Sequence, residues 1–420
     1  MARAIKTDLT QDQATILIDA GKAVRGLEEN LKFCFQERDW IIRQTALALL
    51  LGRHVLIYGI HGAAKSSFAE RVFGSIKGKG TSGEDPQIFS IQLDVDTTKS
   101  DLVGPISIAD LRNSGLNVRN LAGHLAEAHF AYLDEVLDAI SLLRGINDIL
   151  HERRLIEGRQ NIRVPLLTAI GATNRSPSEV EAMYPGLNLG AVNDRWDFVG
   201  NVGYVNGIAS VTSMVMNGLF GKLPFVEVPF HLIQQSAQIL ANTNMFPDDQ
   251  YVQAYVELIT KVRERFKKDM KRSISDRRIN RLTQVVEANA ILYGRTDLTA
   301  EDLHAIGYAL CPSGDSDEYS VFKEVADGVV GEFGAAINDK TDAAIKNALR
   351  RISTDIMGIK RSLSDPKWKA DVTNVGPALK QVSELKDELL KLAPKLESTE
   401  REIKKLVDVL ADLKDKINDI

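Results

Sequence analysis

The sequence has almost no cysteine: Cys34 and Cys311 are the two in 420 residues. They stand far apart and form no metal-ligand spacing or disulfide framework, which predicts a reduced, cytoplasmic protein. Long apolar runs are missing too. The N-terminus has no apolar core of a secretory leader. The longest run, Thr45 to Leu51, is too short to span a membrane and reads as the end of a buried helix. Excess positive charge is also lacking. Lys and Arg number 52 against 57 Asp and Glu, a net charge of −5, so there is no basic footprint and nucleic acid is not expected as a partner. What is present suits folded domains: 44% hydrophobic residues, over a length that predicts two or three of them.

The stretch from His54 to Phe73 organises the rest. His54 to Tyr58 reads as a strand, Gly59-Ile60-His61-Gly62-Ala63-Ala64-Lys65-Ser66 as a small-residue loop, and Ser67 onward as a helix. Strand, loop ending in Lys-Ser, then helix is the context of a phosphate-binding P-loop. Gly59 and Gly62 let the backbone turn, and the N–H groups of Ala63, Ala64 and Ser67 fall at a helix N-terminus that favours anions. Lys65 can reach the β and γ phosphates of a nucleotide, and the Ser66 hydroxyl can hold Mg²⁺. Ala64 departs from the usual Gly before the Lys and puts a Cβ where the loop is tight.

Around this stretch the chain alternates. Helical spacing over residues 1–30 and from Phe35 to Leu51 predicts two helices, the second ended by Gly52. Strands are predicted at Ile88–Leu93, Ala128–Glu135 and Leu166–Ala172, with a hairpin over Arg153–Val164. Strands separated by helices imply a parallel sheet. From about residue 228 the strand signal stops. Four helical segments follow, near 230–242, 248–268, 276–293 and 300–310, the third with Ser275 as its N-cap. Cys311-Pro312-Ser313-Gly314 marks a boundary. In the last forty residues Val382, Leu385, Leu389, Leu392, Leu396, Ile403, Leu406, Leu410, Leu413 and Ile417 keep a heptad register. Pro394 interrupts it, so a helical hairpin and a coiled coil are both open.

The chemistry concentrates at strand ends. Asp134 can hold the hydration shell of Mg²⁺, and Glu135 can orient and deprotonate an attacking water. Asn174, ending the next strand, can reach the same water and the γ-phosphate.

This ordered set resembles AAA+ ATPases, and within them the MoxR family and its RavA-like group. Gly-x-x-Gly-x-Ala-Lys-Ser is common there, so Ala64 fits, while His61 stands where that family often has Pro. Further matching runs are Gly104-Pro105-Ile106-Ser107, Tyr132-Leu133-Asp134-Glu135, Ile146 to Arg153, Ala172-Thr173-Asn174, Asn193-Asp194-Arg195-Trp196 and Ser275-Asp276-Arg277-Arg278. The resemblance covers roughly residues 15–310 and implies an α/β nucleotide domain within residues 1–225 and an all-α lid over 226–311; the helical extension over 312–420, read from its helical and heptad pattern, lies outside it. The resemblance implies ATP and Mg²⁺ as cofactors and a ring homo-oligomer, a hexamer. Hydrolysis would drive remodelling of a client protein, one with a von Willebrand factor A domain among the candidates. It makes Arg195 an arginine finger acting on the neighbouring subunit, and Arg277 a sensor that contacts ATP in its own subunit, with Arg278 as competitor. Residues 107–125 would be an insertion near the pore, where Arg112 and Arg119 could contact a client; plain solvated loop arginines are the competing reading. A motor acting on nucleic acid or coupled to a nuclease is the alternative.

Overall fold

The computed structural model describes residues 7–115, 117–139, 142, 146–157, 160–183, 196–220, 225–364, 368, 374–392 and 397–418. The chain forms two compact units, the first ending at Gly328 and the second starting at Val329.

The first unit is built on five parallel strands: β1 (Val55–Gly59), β2 (Ile88–Gln92), β3 (Phe130–Asp134), β4 (Thr168–Thr173) and β5 (Phe198–Val202). Their order is β2-β3-β4-β1-β5. The P-loop strand therefore lies inside the sheet, beside the strand ending at Asn174, and the carboxyl ends of β1, β3 and β4 open on one side. That is where ligands bind in open parallel sheets. Period-two alternation divides β3 between two layers. Ala131 and Leu133 join a core with Leu56, Ile149 and Trp196. Phe130 faces the helix after the P-loop, its ring 5.4 Å from that of Phe73.

The helices α1 (Gln11–Cys34), α2 (Asp39–Leu51) and α3 (Lys65–Gly74) frame this sheet. Gly52 closes α2 at φ 59°, its N–H donating to Ala48 and Leu49, a left-handed stop that glycine adopts without strain. The lid follows as α4 (Phe230–Asn242), α5 (Asp249–Met270), α6 (Asp276–Leu292) and the turns Ala300–Leu310. Ser275 caps α6 by accepting from the Arg278 N–H at 3.2 Å. Trp40 is part of the packing between α2 and the end of the lid. It donates to Cys311 O at 3.2 Å and packs on Tyr308 and Tyr319. The boundary read at Cys311 is not where compactness ends. Phe322, fully buried, lies on Gly307, so the first unit runs on to Gly328.

The sequence pattern did not point to β5 or the helix Ile208–Phe220. β5 is short and contains Gly200 and Asn201, both poor strand formers. Glycine fits at position 200 because the side-chain ends of Ile41 and Gln44 fill the space a Cβ would take.

The second unit contains a hairpin of α8 (Val375–Lys391) and α9 (Glu397–Asn418), which pack on each other. The heptad residues Val382, Leu385, Leu389, Ile403, Leu410, Leu413 and Ile417 are buried in one core. Leu396 and Pro394 lie outside the described residues. A third stripe, Leu349, Ile352, Ile356, Ile359 and Leu363, completes that core. It comes from α7 (Asp317–Ser364), the helix within which the first unit gives way to the second.

Candidate functional site

The P-loop corner is specified atom by atom. Gly59 has φ 151°, and a Cβ on it would sit 1.9 Å from Val202 O, so β5 admits only glycine there. Gly62 has φ 75° with open space around it. Ala64 has φ 60°, a left-handed conformation that costs a Cβ-bearing residue about 1–2 kcal/mol. It is the cap from which α3 starts at Lys65. Ala63 and Lys65 are buried, whereas Ser66 and Ser67 are exposed on the first turn.

Lys65 is the hub. Its Nζ donates to Gly59 O at 2.8 Å, Ile60 O at 3.1 Å and Asn174 Oδ1 at 2.7 Å. Asn174 then donates through Nδ2 to Glu135 Oε1. Three residues from three separate stretches of chain thus form one bonded path at the carboxyl ends of β1, β3 and β4. Burial lowers the Lys65 pKa, and Glu135 and Asp134 oppose that shift. Burial raises the Glu135 pKa, with Asp134 and Asp138 adding to it and Lys65 opposing. A raised carboxylate pKa suits a proton acceptor. Glu135 also sits at φ 52°, a strained position for a residue with a side chain.

Ser66 and Asp134 face each other, Oγ to Oδ2 at 3.5 Å. The other Asp134 oxygen accepts from the Glu135 N–H at 3.0 Å. Tyr132, which sequence reasoning did not assign to the site, donates to Ser66 Oγ at 2.9 Å. It lies two residues before Asp134 on the same strand face, but only the fold brings Ser66 to it. One hydroxyl and one carboxylate are hard oxygen donors, the set that holds Mg²⁺ together with waters and phosphate oxygens. Among the described residues no group of three or more His, Cys, Asp and Glu gathers for a metal, so an all-protein cage is not the arrangement here.

The remaining candidates are spread. On α6, Arg277 is exposed on the first turn, while Arg278 turns inward and donates to Asp197 O at 3.1 Å and to Ala309 O. Arg278 lines an open cleft of about 610 Å³ with Tyr58, Ser176, Lys271 and Glu318. Arg195 lies outside the described residues. Arg119 is not a solvated arginine: its side chain is 7% exposed, and its guanidinium pairs with Glu157 and donates to Gly104 O at 2.7 Å. The pair ties the segment after Gly104 to the hairpin Arg154–Glu157 and Gln160–Arg163. Arg112 is exposed.

A parallel sheet of this order, a P-loop beside an Asp-Glu strand end and a helical lid define the AAA+ class. Comparison with known proteins narrows it. Residues 22–218 match the family model described as the MoxR domain in the MoxR-vWA-beta-propeller ternary systems, and residues 254–320 match the AAA lid domain. The chain belongs to the MoxR family of AAA+ ATPases. Two uncharacterized proteins of Methanocaldococcus jannaschii are similar. MJ0079 is 25% identical over 340 residues, 79% of this chain and 81% of that one. MJ0812 is 25% identical over 279 residues, 66% of this chain and 68% of that one. A crystal structure described as a "putative ATPase" from Cytophaga hutchinsonii shares the fold, with TM-score 0.55 and 15% identity over 76% of this chain and 96% of that one. No helix among the described residues is long and apolar enough to cross a membrane.

Proposed function

We propose that this protein hydrolyses ATP with Mg²⁺ in the cytoplasm and uses the energy to remodel a partner protein. The observation that carries the reading is the path Lys65–Asn174–Glu135 beside Ser66 and Asp134. The backbone of Gly59, Gly62, Ala63, Ala64 and Ser67 cradles the phosphates, and Lys65 neutralises them. Ser66 would hold Mg²⁺ and Asp134 its hydration waters, and the metal would supply charge for the leaving phosphates. Glu135 takes the proton of the attacking water, and Asn174 holds Glu135 and that water in line.

Arg277 serves as the sensor of its own subunit. Its guanidinium makes no bond among the described residues, whereas Arg278 is committed to backbone carbonyls. Arg195 acts in trans, which requires a ring; a hexamer is the expected form. The family's vWA-containing systems support a partner with a von Willebrand factor A domain. The narrower likeness to the RavA-like group belongs to the same proposal.

The test is turnover by wild type and Glu135→Gln, with and without DNA. The variant is expected to bind ATP normally and to lose about 10²–10⁴-fold in rate, the usual worth of a general base. Turnover within a few-fold of wild type removes Glu135 as the base, and strong stimulation by DNA favours a nucleic-acid motor. Trans action is checked by mixing Arg195→Ala with Lys65→Ala subunits, which should partly restore activity.

A further inference from the structure

The lid is fastened to the sheet at one carboxylate, outside the nucleotide corner. Asp197 immediately precedes β5. Arg281 of α6 donates to its Oδ1 at 2.9 Å, and Arg53, just before β1, stands 3.6 Å from the same oxygen. Arg278 of α6 donates to the Asp197 carbonyl at 3.1 Å. One turn of the lid helix therefore grips both the side chain and the backbone of this residue. The contact is sheltered: the Asp197 and Arg281 side chains are 11% and 18% exposed. The remaining guanidinium bonds fix the two arginines. Arg281 reaches the His151 ring at 2.8 Å, and Arg53 reaches Gln284, also on α6.

From Asp197 the connection to the P-loop is continuous. β5 pairs with β1 from Phe198 opposite Val55 to Val202 opposite Gly59. Val202 presses on Gly59, whose carbonyl accepts from Lys65. β5 is the edge strand, and its outer side is closed by the end of the lid: the Asn201 N–H donates to Pro312 O at 2.9 Å. The strand beside the P-loop is thus held by the lid at both ends, by charge at Asp197 and by a backbone bond at Asn201.

We propose that Asp197 is a positioning residue for nucleotide turnover. It sets the orientation of α6, and so of the arginines on that helix's first turn, against the P-loop strand. This rests on the ATPase reading above. Most of the phosphate contacts come from the loop between β1 and α3, so nucleotide affinity should change little in Asp197 variants. The placement of a lid cation against the reacting phosphate should, because misplacement by about 1 Å can cost roughly 10²-fold in rate.

The experiment measures, for the full chain, the Kd of a fluorescent ATP analogue, kcat and KM for ATP, and the thermal midpoint. Asp197→Asn should bind within about three-fold of wild type and lose about ten-fold or more in kcat. Asp197→Glu, which keeps the charge, should recover most of it. If Asp197→Asn does not fold, Arg281→Gln takes its place under the same thresholds, because Arg53 still meets the carboxylate. A kcat within two-fold of wild type overturns the proposal. So does a parallel loss of affinity, kcat and thermal midpoint that the Glu variant does not relieve. A wild type that binds no ATP or does not turn it over removes the ATPase reading, and this proposal with it. A fully active wild type with an indifferent Asp197 removes this proposal alone.

Discussion

The P-loop corner and the C-terminal three-helix core use opposite kinds of specification. In the corner, single atoms decide. A Cβ on Gly59 would overlap Val202 O, and Lys65 reaches Gly59 O, Ile60 O and Asn174 Oδ1 at 2.8, 3.1 and 2.7 Å, all within hydrogen-bond range. In the C-terminal unit no single atom is special. Thirteen buried apolar residues repeat at helical spacing and share one core, so the period itself is the instruction. The corner should therefore lose function without losing stability, and the helical unit should do the reverse.

The largest effect in free energy should come from Leu389→Ala. The side chain is fully buried, and such truncations cost about 2–5 kcal/mol. Hydrogen exchange in α8 and α9 should speed up while ATP affinity stays unchanged. A fall in affinity would break the comparison by showing that the second unit shapes the first. Next, Lys65→Ala should weaken ATP binding by about 30–100-fold, the worth of charged hydrogen bonds to phosphate, with little change in thermal midpoint. A clearly lowered thermal midpoint of that variant would mean that the bonds to Gly59 O, Ile60 O and Asn174 hold the corner together without ligand.

A smaller effect concerns pH. Burial and Asp134 raise the Glu135 pKa, so its carboxylate is protonated at a pH where an ordinary glutamate is ionised. Turnover should rise with pH through an apparent pKa above the usual glutamate range. For stability the sign is opposite: ionising Glu135 costs the folded state more than the unfolded one, so this group's contribution declines as pH rises from the unfolded pKa to the folded pKa. A pH–rate profile whose acid limb lies below the usual range would remove Glu135 as base. The smallest effect is expected from Ala64→Gly. Relief of the left-handed strain, about 1–2 kcal/mol, is offset by the extra freedom of unfolded glycine, about 0.5–1 kcal/mol. A net gain near 1 kcal/mol or less, with unchanged ATP affinity, is expected in denaturant titrations.

The site was legible where chemistry is carried by neighbours in sequence. Gly59 to Ser67 and Asp134-Glu135 are contiguous, and each announces a strand end with a polar cluster. Tyr132 and Asp197 were not legible. A tyrosine in a strand and an aspartate after a tryptophan have no meaning until a partner arrives from another element. Tyr132 needs Ser66, 66 positions away, and Asp197 needs Arg281, 84 positions away. Arg119 was misread for the same reason. Its loop is polar, but Glu157 of the hairpin reaches across to bury it.

By itself the sequence determined most of the elements and the residue types at the strand ends. Period and turn residues marked the P-loop strand, the lid helices and the apolar faces of α8 and α9, because those signals depend only on nearby residues. Tertiary structure decided three things. Pairing placed β5 at the sheet edge although its Gly-Asn composition disfavours a strand, because hydrogen bonds to β1 and packing by Ile41 outweigh propensity. Closure of α8 on α9, with the stripe from α7, turned a heptad seam into an intramolecular core, because that buries all three apolar faces within one chain. Long-range bonds brought Lys65, Asn174 and Glu135 into one path. No spacing rule states such a bond, since its length depends on how the whole sheet is ordered.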